Sequence, residues 1–385
     1  MAGVHPRAQK VVVAMSGGVD SSVAAAILVQ EGYDVIGVTM QIWPATVTEE
    51  KFSRTCCSLS AVEDARRVAA RLGIPHYVLN FKDIFEELVI DNFIEEYRRG
   101  RTPNPCIRCN RFVKFEALLA KAQALGADYV ATGHYSRIAH DEARGRWLLK
   151  RGVDRSKDQS YALYSMTQYQ LAHTLMPLGN MAKDETRRLA AQLGLAVSSK
   201  PDSQEICFVE DRNYRAFLEA AAPEVAKPGP ILDTAGNVIG EHKGIAFYTV
   251  GQRRRLGIAA GEPLYVVRVD PADNAVVVGR EADLYAPGLI ATDLNYISIE
   301  ALVEPIAVTA KVRYNMKDSQ ALLSPWAKEQ ARITFEKPQR AIAPGQAVVF
   351  YNSEDVGGGG TIENVMREGR DPGFQGSRDP GAEWE

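Results

Sequence analysis

Four short apolar runs rich in β-branched residues, at 11–15, 34–40, 76–80 and 128–133, alternate with helical periodicity at 21–30, 61–72, 84–99 and 112–125. This alternation constrains the fold more than any other feature of the chain. Apolar strands separated by amphipathic helices bury both strand faces by pairing in parallel, with helices on either side of the sheet. The expected class is α/β. Ligands of such sheets bind beyond the carboxyl ends of the strands, so the turns after Met15, Met40 and Gly133 are expected to face one site.

A second texture begins after about residue 215, where Lys227-Pro228-Gly229-Pro230 interrupts any regular element. Short strand-like runs with Gly and Asn turns follow. One hairpin is expected over 231–239 around Ala235-Gly236-Asn237, and another joins 264–269 to 275–279 through the turn at 271–274. Tyr285-Ala286-Pro287-Gly288 then opens an all-β stretch that runs to about Glu363, with strands at 307–314, 331–335 and 347–351. A chain of 385 residues exceeds one ordinary domain. The expected organisation is an α/β domain over 1–212, a β-rich connector over 213–283, a β-barrel over 284–366 and a disordered tail over 367–385, with no internal repeat.

Composition removes several classes. No apolar run approaches the ~20 residues of a membrane span, and the MAGVHPRAQK start lacks the apolar core of a secretory leader. A cytoplasmic protein with no membrane partner is expected. The net charge of −3 argues against coating nucleic acid by bulk charge, yet it hides a local basic segment. Arg98, Arg99, Arg101, Arg108, Arg111, Lys114 and Lys121 face one acidic neighbour in sequence, Glu116. In a reducing compartment the five cysteines are expected to be catalytic, metal-binding or packed rather than structurally bridged.

The strongest local motif is Ser16-Gly17-Gly18-Val19-Asp20-Ser21-Ser22, between the first strand and the first helix. Glycines let the backbone approach an anion, the helix start offers N–H groups and a positive dipole end, and the serines add donors. That is a pyrophosphate cradle. It is not a Walker A loop, because no Lys-Ser/Thr pair follows the glycines. A second motif, Thr102-Pro103-Asn104-Pro105-Cys106-Ile107-Arg108-Cys109-Asn110, lies in the basic segment. Its two prolines are expected to stiffen an extended loop that presents side chains, and the nearby cations favour thiolate. A structural zinc site needs four closed ligands, and no second C-x-x-C exists. In Asp202-Ser203-Gln204-Glu205-Ile206-Cys207-Phe208 the lone cysteine reads, by itself, as a small hydrophobe.

The serine–glycine loop resembles that of the PP-loop ATP pyrophosphatase superfamily, which has an adenine nucleotide alpha hydrolase-like fold and adenylates a carbonyl oxygen with release of pyrophosphate. With T-P-N-P-x-x-x-C-N-R, T-G-H-Y, Lys157-Asp158-Gln159-Ser160-Tyr161, D-S-Q-E-I-C-F and Gly251-Gln252-Arg253 in that order, the chain is similar over roughly residues 10–363 to the tRNA-specific 2-thiouridylase family. The resemblance implies ATP-dependent 2-thiolation of the wobble uridine of tRNA, with Mg²⁺ and a sulfur donor, either a persulfide carrier or a cysteine desulfurase relay. It implies that Ala14, Met15, Ser16, Gly17, Gly18, Val19, Asp20, Ser21, Met40 and Gly133 bind the nucleotide. Cys207 would carry a persulfide, and Cys109 would be the nucleophile that frees sulfide or closes a disulfide with it. Asn104, Pro105 and Cys106 would meet the target base. His134, Lys157, Asp158, Gln159, Arg313, Tyr314 and Gln346 would contact tRNA, whose target base must be flipped out of its stack.

One departure stands out: family members often carry aspartate where this chain has Cys106. Cys106, Cys109 and Cys207 are therefore also candidate ligands of a [4Fe-4S] cluster whose open iron would carry sulfide. The persulfide and cluster routes both stand at this point. Two other classes are kept. In an ammonia-using PP-loop ligase both Cys109 and Cys207 would be dispensable, and an RNA-binding scaffold would release no pyrophosphate. Cys56 and Cys57 have no assigned role.

Overall fold

The computed structural model describes residues 8–42, 59–201, 206–209, 213–258 and 261–367. Cys56, Cys57, Asp202-Ser203-Gln204-Glu205 and the expected tail from 368 onward lie outside the described residues.

The first sheet contains β1 (Lys10–Ala14), β2 (Asp34–Gln41), β3 (His76–Asn80), β4 (Tyr129–Ala131) and β7 (Thr174–Leu175), in the order β3-β2-β1-β4-β7. All four pairings are parallel. β1 is central, and its Val11, Val12 and Val13 are fully buried, as expected of a strand covered on both faces. Helices α1 (Val19–Gln30) and α2 (Leu59–Leu72) follow β1 and β2. The strand order reverses between β1 and β4, which opens a crevice at their carboxyl ends.

Two longer helical stretches close the other face. Residues 82–98 are helical throughout and wind as a π-helix over Glu86–Ile90. Residues 105–124 form the second, with a π-helical segment over Cys109–Ala117. This corrects the expectation of an extended loop at 102–110. Pro105 stands at the first helical position, where its missing N–H costs nothing and its fixed φ suits the helix. The Asn104 side chain caps the end by accepting from the Ile107 N–H at 3.3 Å. Cys106 and Cys109 thus lie one turn apart on a helix. π-winding concentrates at functional sites, and here it begins at Cys109.

The remaining strands build two further sheets. β8 (Gly229–Leu232), β9 (Val238–His242), β10 (Tyr265–Asp270) and β11 (Ala275–Gly279) form a four-stranded sheet of order β10-β11-β8-β9. β12 (Tyr285–Tyr296), β13 (Ile306–Lys311), β14 (Ser319–Pro325), β15 (Ala331–Arg340), β16 (Ala347–Asn352) and β17 (Asp355–Met366) close into a six-stranded barrel through β12–β17 pairing. Closure leaves the barrel without an open edge of its own. The chain of the first domain also sends out a hairpin, β5 (Ser136–Asp141) and β6 (Arg146–Arg151), which joins the barrel sheet at β17. Sequence reading missed this hairpin.

The apolar core crosses the 212/213 boundary. Phe85, Phe93 and Phe208 from the first region share one buried cluster with Ile231, Val266 and Val276 of the four-stranded sheet. The barrel has its own core, built from residues such as Leu289, Ile333 and Phe350. No helix among the described residues is long and apolar enough to cross a membrane.

Candidate active site

The crevice between β1 and β4 is lined by the serine–glycine loop. Gly17 has φ +69°, and a Cβ there would stand 2.1 Å from the Ala61 carbonyl oxygen, so only glycine fits. Gly18 precedes α1 and no side chain caps the helix. The start of a long helix therefore faces the crevice with its N–H groups, the arrangement that binds anions. The three serines divide their roles. Ser21 and Ser22 are buried and donate to the Gly18 carbonyl at 3.2 and 2.8 Å, and Ser21 Oγ accepts from the Ser16 N–H at 3.2 Å. They shape the loop, whereas Ser16 is exposed at its tip.

Three polar side chains outside the motif hold this loop. Lys183 Nζ, on a side chain only 8% exposed, reaches both carboxylate oxygens of Asp20 at 2.7 and 2.8 Å. The Tyr135 hydroxyl donates to Asp20 Oδ1 at 2.8 Å. Lys200 Nζ donates to the Gly17 carbonyl at 2.9 Å and pairs with Asp64 at 2.7 Å. Neither lysine was found by sequence reasoning. Both act across more than 160 residues, and no local pattern marks them.

The end of β4 touches the loop directly. A Cβ on Gly133 would lie 2.7 Å from the Asp20 carbonyl carbon and the Ser21 nitrogen, so this glycine sets how closely strand and loop approach. His134 is buried beside it. Its Nδ1 lies 2.8 Å from Thr132 Oγ1, and its ring sits 5.9 Å from Phe115. Burial, reinforced by the Lys114 charge, pushes its pKa well below the ordinary value, so the imidazole is neutral at pH 7. Lys114 in turn donates to Asn110 Oδ1 at 2.9 Å, while Asn110 donates to the Ala162 carbonyl at 2.9 Å.

The nucleotide-side and sulfur-side candidates border one apolar cluster. Ala14 at the end of β1, Met40 near the end of β2, Cys109 and Cys207 all pack against it. Cys207 is drawn there by its neighbour Phe208, whose ring meets Phe93 edge-on at 5.2 Å and Phe85 at 5.7 Å. Cys106 instead is exposed. Cys106, Cys109 and Cys207 are thiols in this structure, and none is in a disulfide. Among the described residues no three His, Cys, Asp or Glu side chains are grouped to hold a metal ion.

Several residues expected to meet RNA have internal partners. Asp158 is buried and its carboxylate accepts from the Gly152 N–H, the Ser160 N–H and the Ser160 hydroxyl at 2.9–3.1 Å. Gln159 is tied to Tyr135 by two hydrogen bonds, N–H to carbonyl at 3.1 Å and Oε1 to N–H at 3.0 Å. Arg313 donates to the Ala341 carbonyl and to the Val250 carbonyl, fastening the barrel to the connector. Gln346 donates to the Thr102 and Pro103 carbonyls, each at 3.0 Å. Tyr314, by contrast, is exposed on the rim of a cavity of about 570 Å³ that Arg155, Asp158, Lys311 and Lys317 also line. Lys157 is half-buried on the same loop, and Arg253, Arg254 and Arg255 are exposed on the connector.

Comparison with known proteins assigns the chain. Three family models match it in sequence, described as the tRNA methyl transferase HUP domain over residues 9–211, the tRNA methyl transferase PRC-barrel domain over 215–280 and the aminomethyltransferase beta-barrel domain over 286–362. A tRNA-specific 2-thiouridylase MnmA of Acetivibrio thermocellus is 58% identical over 92% of this chain and 99% of its own length. One of Heliobacterium modesticaldum is 59% identical over 92% of each. The chain belongs to the tRNA-specific 2-thiouridylase family. Members of this family are tRNA sulfurtransferases. Among solved structures, a 4-thiouridine synthetase–RNA complex with bound ATP covers 56% of this chain and 51% of that one, at 20% identity and a TM-score of 0.33.

Proposed function

We propose that this 2-thiouridylase-family chain thiolates C2 of the wobble uridine of tRNA at the expense of ATP, by a cysteine persulfide route. The observation that carries the reading is the common border of Ala14, Met40, Cys109 and Cys207 on one core cluster. Nucleotide and sulfur chemistry then share one side of the sheet.

Ser16, Gly17, Gly18, Val19, Asp20 and Ser21, with the backbone at Met15, Met40 and Gly133, would hold ATP. Mg²⁺ would ride on the nucleotide's own phosphates and neutralise their charge. The uridine O2 attacks the α-phosphorus; an O–P bond forms, pyrophosphate leaves, and the N3 proton departs. Oxide is thereby converted into a leaving group. The terminal sulfur of a Cys207 persulfide then attacks C2, and AMP leaves with its oxygen. The Cys109 thiolate next attacks the Cys207 sulfur, giving a Cys109–Cys207 disulfide and the C2 thiocarbonyl, with N3 reprotonated. An external thiol reduces the disulfide, and a persulfide donor reloads Cys207. Asn104, Pro105 and Cys106, at the start of the cysteine helix, are suited to flank the flipped base. His134 would enter as a neutral hydrogen-bonding group. The exposed Tyr314 and connector arginines, with the half-buried Lys157, offer the RNA a stacking face and phosphate contacts.

The test is a reconstituted reaction with ATP, unmodified tRNA, polysulfide and dithiothreitol, reading pyrophosphate and 2-thiouridine. Both products are expected from the parent. Cys109→Ser and Cys207→Ser should each release pyrophosphate without forming thiouridine. Turnover indifferent to both substitutions would favour an ammonia-using ligase instead, and no pyrophosphate at all would favour a scaffold.

A further inference from the structure

Thr39 lies one residue past the last rung between β1 and β2, and its side chain is bonded to that end of the sheet. A strand alternates its backbone groups between its two neighbours. The Gly37 N–H donates to the Pro75 carbonyl and the Phe81 N–H to the Gln41 carbonyl, each at 2.9 Å, so residues 37, 39 and 41 face β3. Residues 36, 38 and 40 therefore face β1. On that side the Met15 N–H donates to the Val38 carbonyl at 2.8 Å, and the next rung in register would run from the Met40 N–H to the Met15 carbonyl. Among the described residues the ladder stops short of it, at Ala14 and Val38. The Met15 carbonyl accepts from the Thr39 hydroxyl instead, at 2.8 Å.

His76 fixes that hydroxyl. Thr39 is buried, and its one hydroxyl proton is taken up by Met15, so His76 Nε2, 2.9 Å from Thr39 Oγ1, is the donor of their contact. The His76 Nδ1 atom is buried with no hydrogen-bond partner among the described residues, as suits an imidazole whose single proton is on Nε2. Burial, with Arg66 of α2 as the second cause, lowers its pKa, and the ring is neutral at pH 7. Gly37 makes room for the ring: a Cβ there would lie 2.6 Å from Met15 Sδ and 3.1 Å from His76 Cδ2. We propose that the His76–Thr39 relay occupies the Met15 carbonyl and so leaves the Met40 N–H and C=O, past the end of β1, as a donor–acceptor pair for the base of the nucleotide. The inference rests on the functional reading above and deepens it. Adenine offers an acceptor at N1 beside a donor at N6, the complement of a backbone N–H and C=O, whereas hypoxanthine reverses both. Thr39 and His76 are then positioning residues that set the base preference without touching the reacting atoms.

The experiment uses the full-length chain with Thr39→Val, Thr39→Ser and His76→Leu. Pyrophosphate release at saturating tRNA is measured against ATP and against inosine triphosphate, with thermal melts on the same samples. In Thr39→Val the Met15 carbonyl takes the Met40 N–H. KM for ATP should then rise about tenfold with kcat within about twofold, while kcat/KM for inosine triphosphate stays within about twofold of the parent. The preference for ATP thus falls about tenfold. Thr39→Ser keeps the hydroxyl and should recover most of the preference; His76→Leu, which frees the hydroxyl to turn, should lower it about threefold or more. An equal loss for both nucleotides overturns the relay, because it reports a deformed loop. An unchanged preference in Thr39→Val or His76→Leu overturns it too, as does a Thr39→Ser protein that behaves like Thr39→Val. A second readout needs no turnover. In protein carrying isotope-labelled methionine, the Met40 amide, assigned by its loss in Met40→Leu, is followed by NMR without nucleotide. It should exchange with solvent about tenfold or more faster in the parent than in Thr39→Val. Equal exchange sinks the proposal. If the parent itself releases no pyrophosphate with tRNA, the functional reading fails, and the exchange rates still decide the relay.

Discussion

Replacing Gly133 with alanine adds one methyl group at the point where β4 meets the serine–glycine loop. The added Cβ would stand 2.7 Å from the Asp20 carbonyl carbon and the Ser21 nitrogen, and 3.0 Å from the Asp20 Cβ. Ordinary contact begins at 3.4 Å, so strand end and loop must part by about 0.7 Å. The obstructing atoms are backbone in the first turn of α1, and no rotamer change relieves them. Overpacking of this kind costs about 1–3 kcal/mol of stability. The catalytic cost is larger in proportion, because displacing an aligned reactant by about 1 Å costs on the order of 100-fold in rate. Gly133→Ala should therefore fold and melt slightly lower, while ATP-dependent pyrophosphate release falls about 10- to 100-fold. Gly261→Ala is the control, since a Cβ there meets nothing within 4 Å, and it should leave both quantities unchanged. Pyrophosphate release is followed at saturating tRNA, with circular dichroism and thermal melts on the same samples. A Gly133→Ala protein that melts normally and keeps the parent rate would refute the argument that this close approach sets the nucleotide's position.

Further perturbations test other parts of the site. Lys183→Ala strips the buried cation from Asp20, leaving it the Tyr135 hydroxyl, and should lower unfolding free energy by about 1–3 kcal/mol, read from urea titrations. Because the folded-state pKa of His134 is depressed, the unfolded chain takes up a proton near pH 6.5 that the native state refuses. Its contribution to stability is complete above that pH and is lost as pH falls, by up to about 1.4 kcal/mol per unit. His134→Gln should flatten the slope of unfolding free energy between pH 5 and 6.5 by that amount. Cys106→Ser should cost less than about threefold in thiouridine formation if the persulfide route operates, and loss of activity would count against that route.

The sheet was legible because its signals are local. Val11, Val12 and Val13 announce a strand buried on both faces, and the glycine–serine run after it has few structural readings other than an anion loop. The helix expected over 112–125 is present, but its start at 105–111 was read as loop because Pro-Asn-Pro looks like punctuation. The second proline is in fact a first-turn residue with an asparagine cap. Hairpin β5–β6 pairs locally and was missed, while its docking on β17, some 200 residues away, had no local signal. Comparable distances hid Lys183, Lys200 and the internal partner of Gln346. Motif position tells which residues matter, but not whether they face a ligand or the rest of the molecule.

The separation in sequence of these contacts bears on how the chain is made. Arg101 meets Glu363, Arg137 meets Glu354 and Arg151 meets Asp318, pairs 262, 217 and 167 residues apart. At a synthesis rate of about 5–20 residues per second, the cysteine helix emerges on the order of 10–50 s before the barrel whose Gln346 bonds the Thr102 and Pro103 carbonyls. Through that interval the helix that carries Cys106 and Cys109 lacks these later contacts. A nascent chain arrested before residue 344 should expose Cys109 to thiol reagents far more than the finished protein does. Completion of the barrel is then the event that supplies the last contacts of residues 101–103, ahead of the cysteine helix.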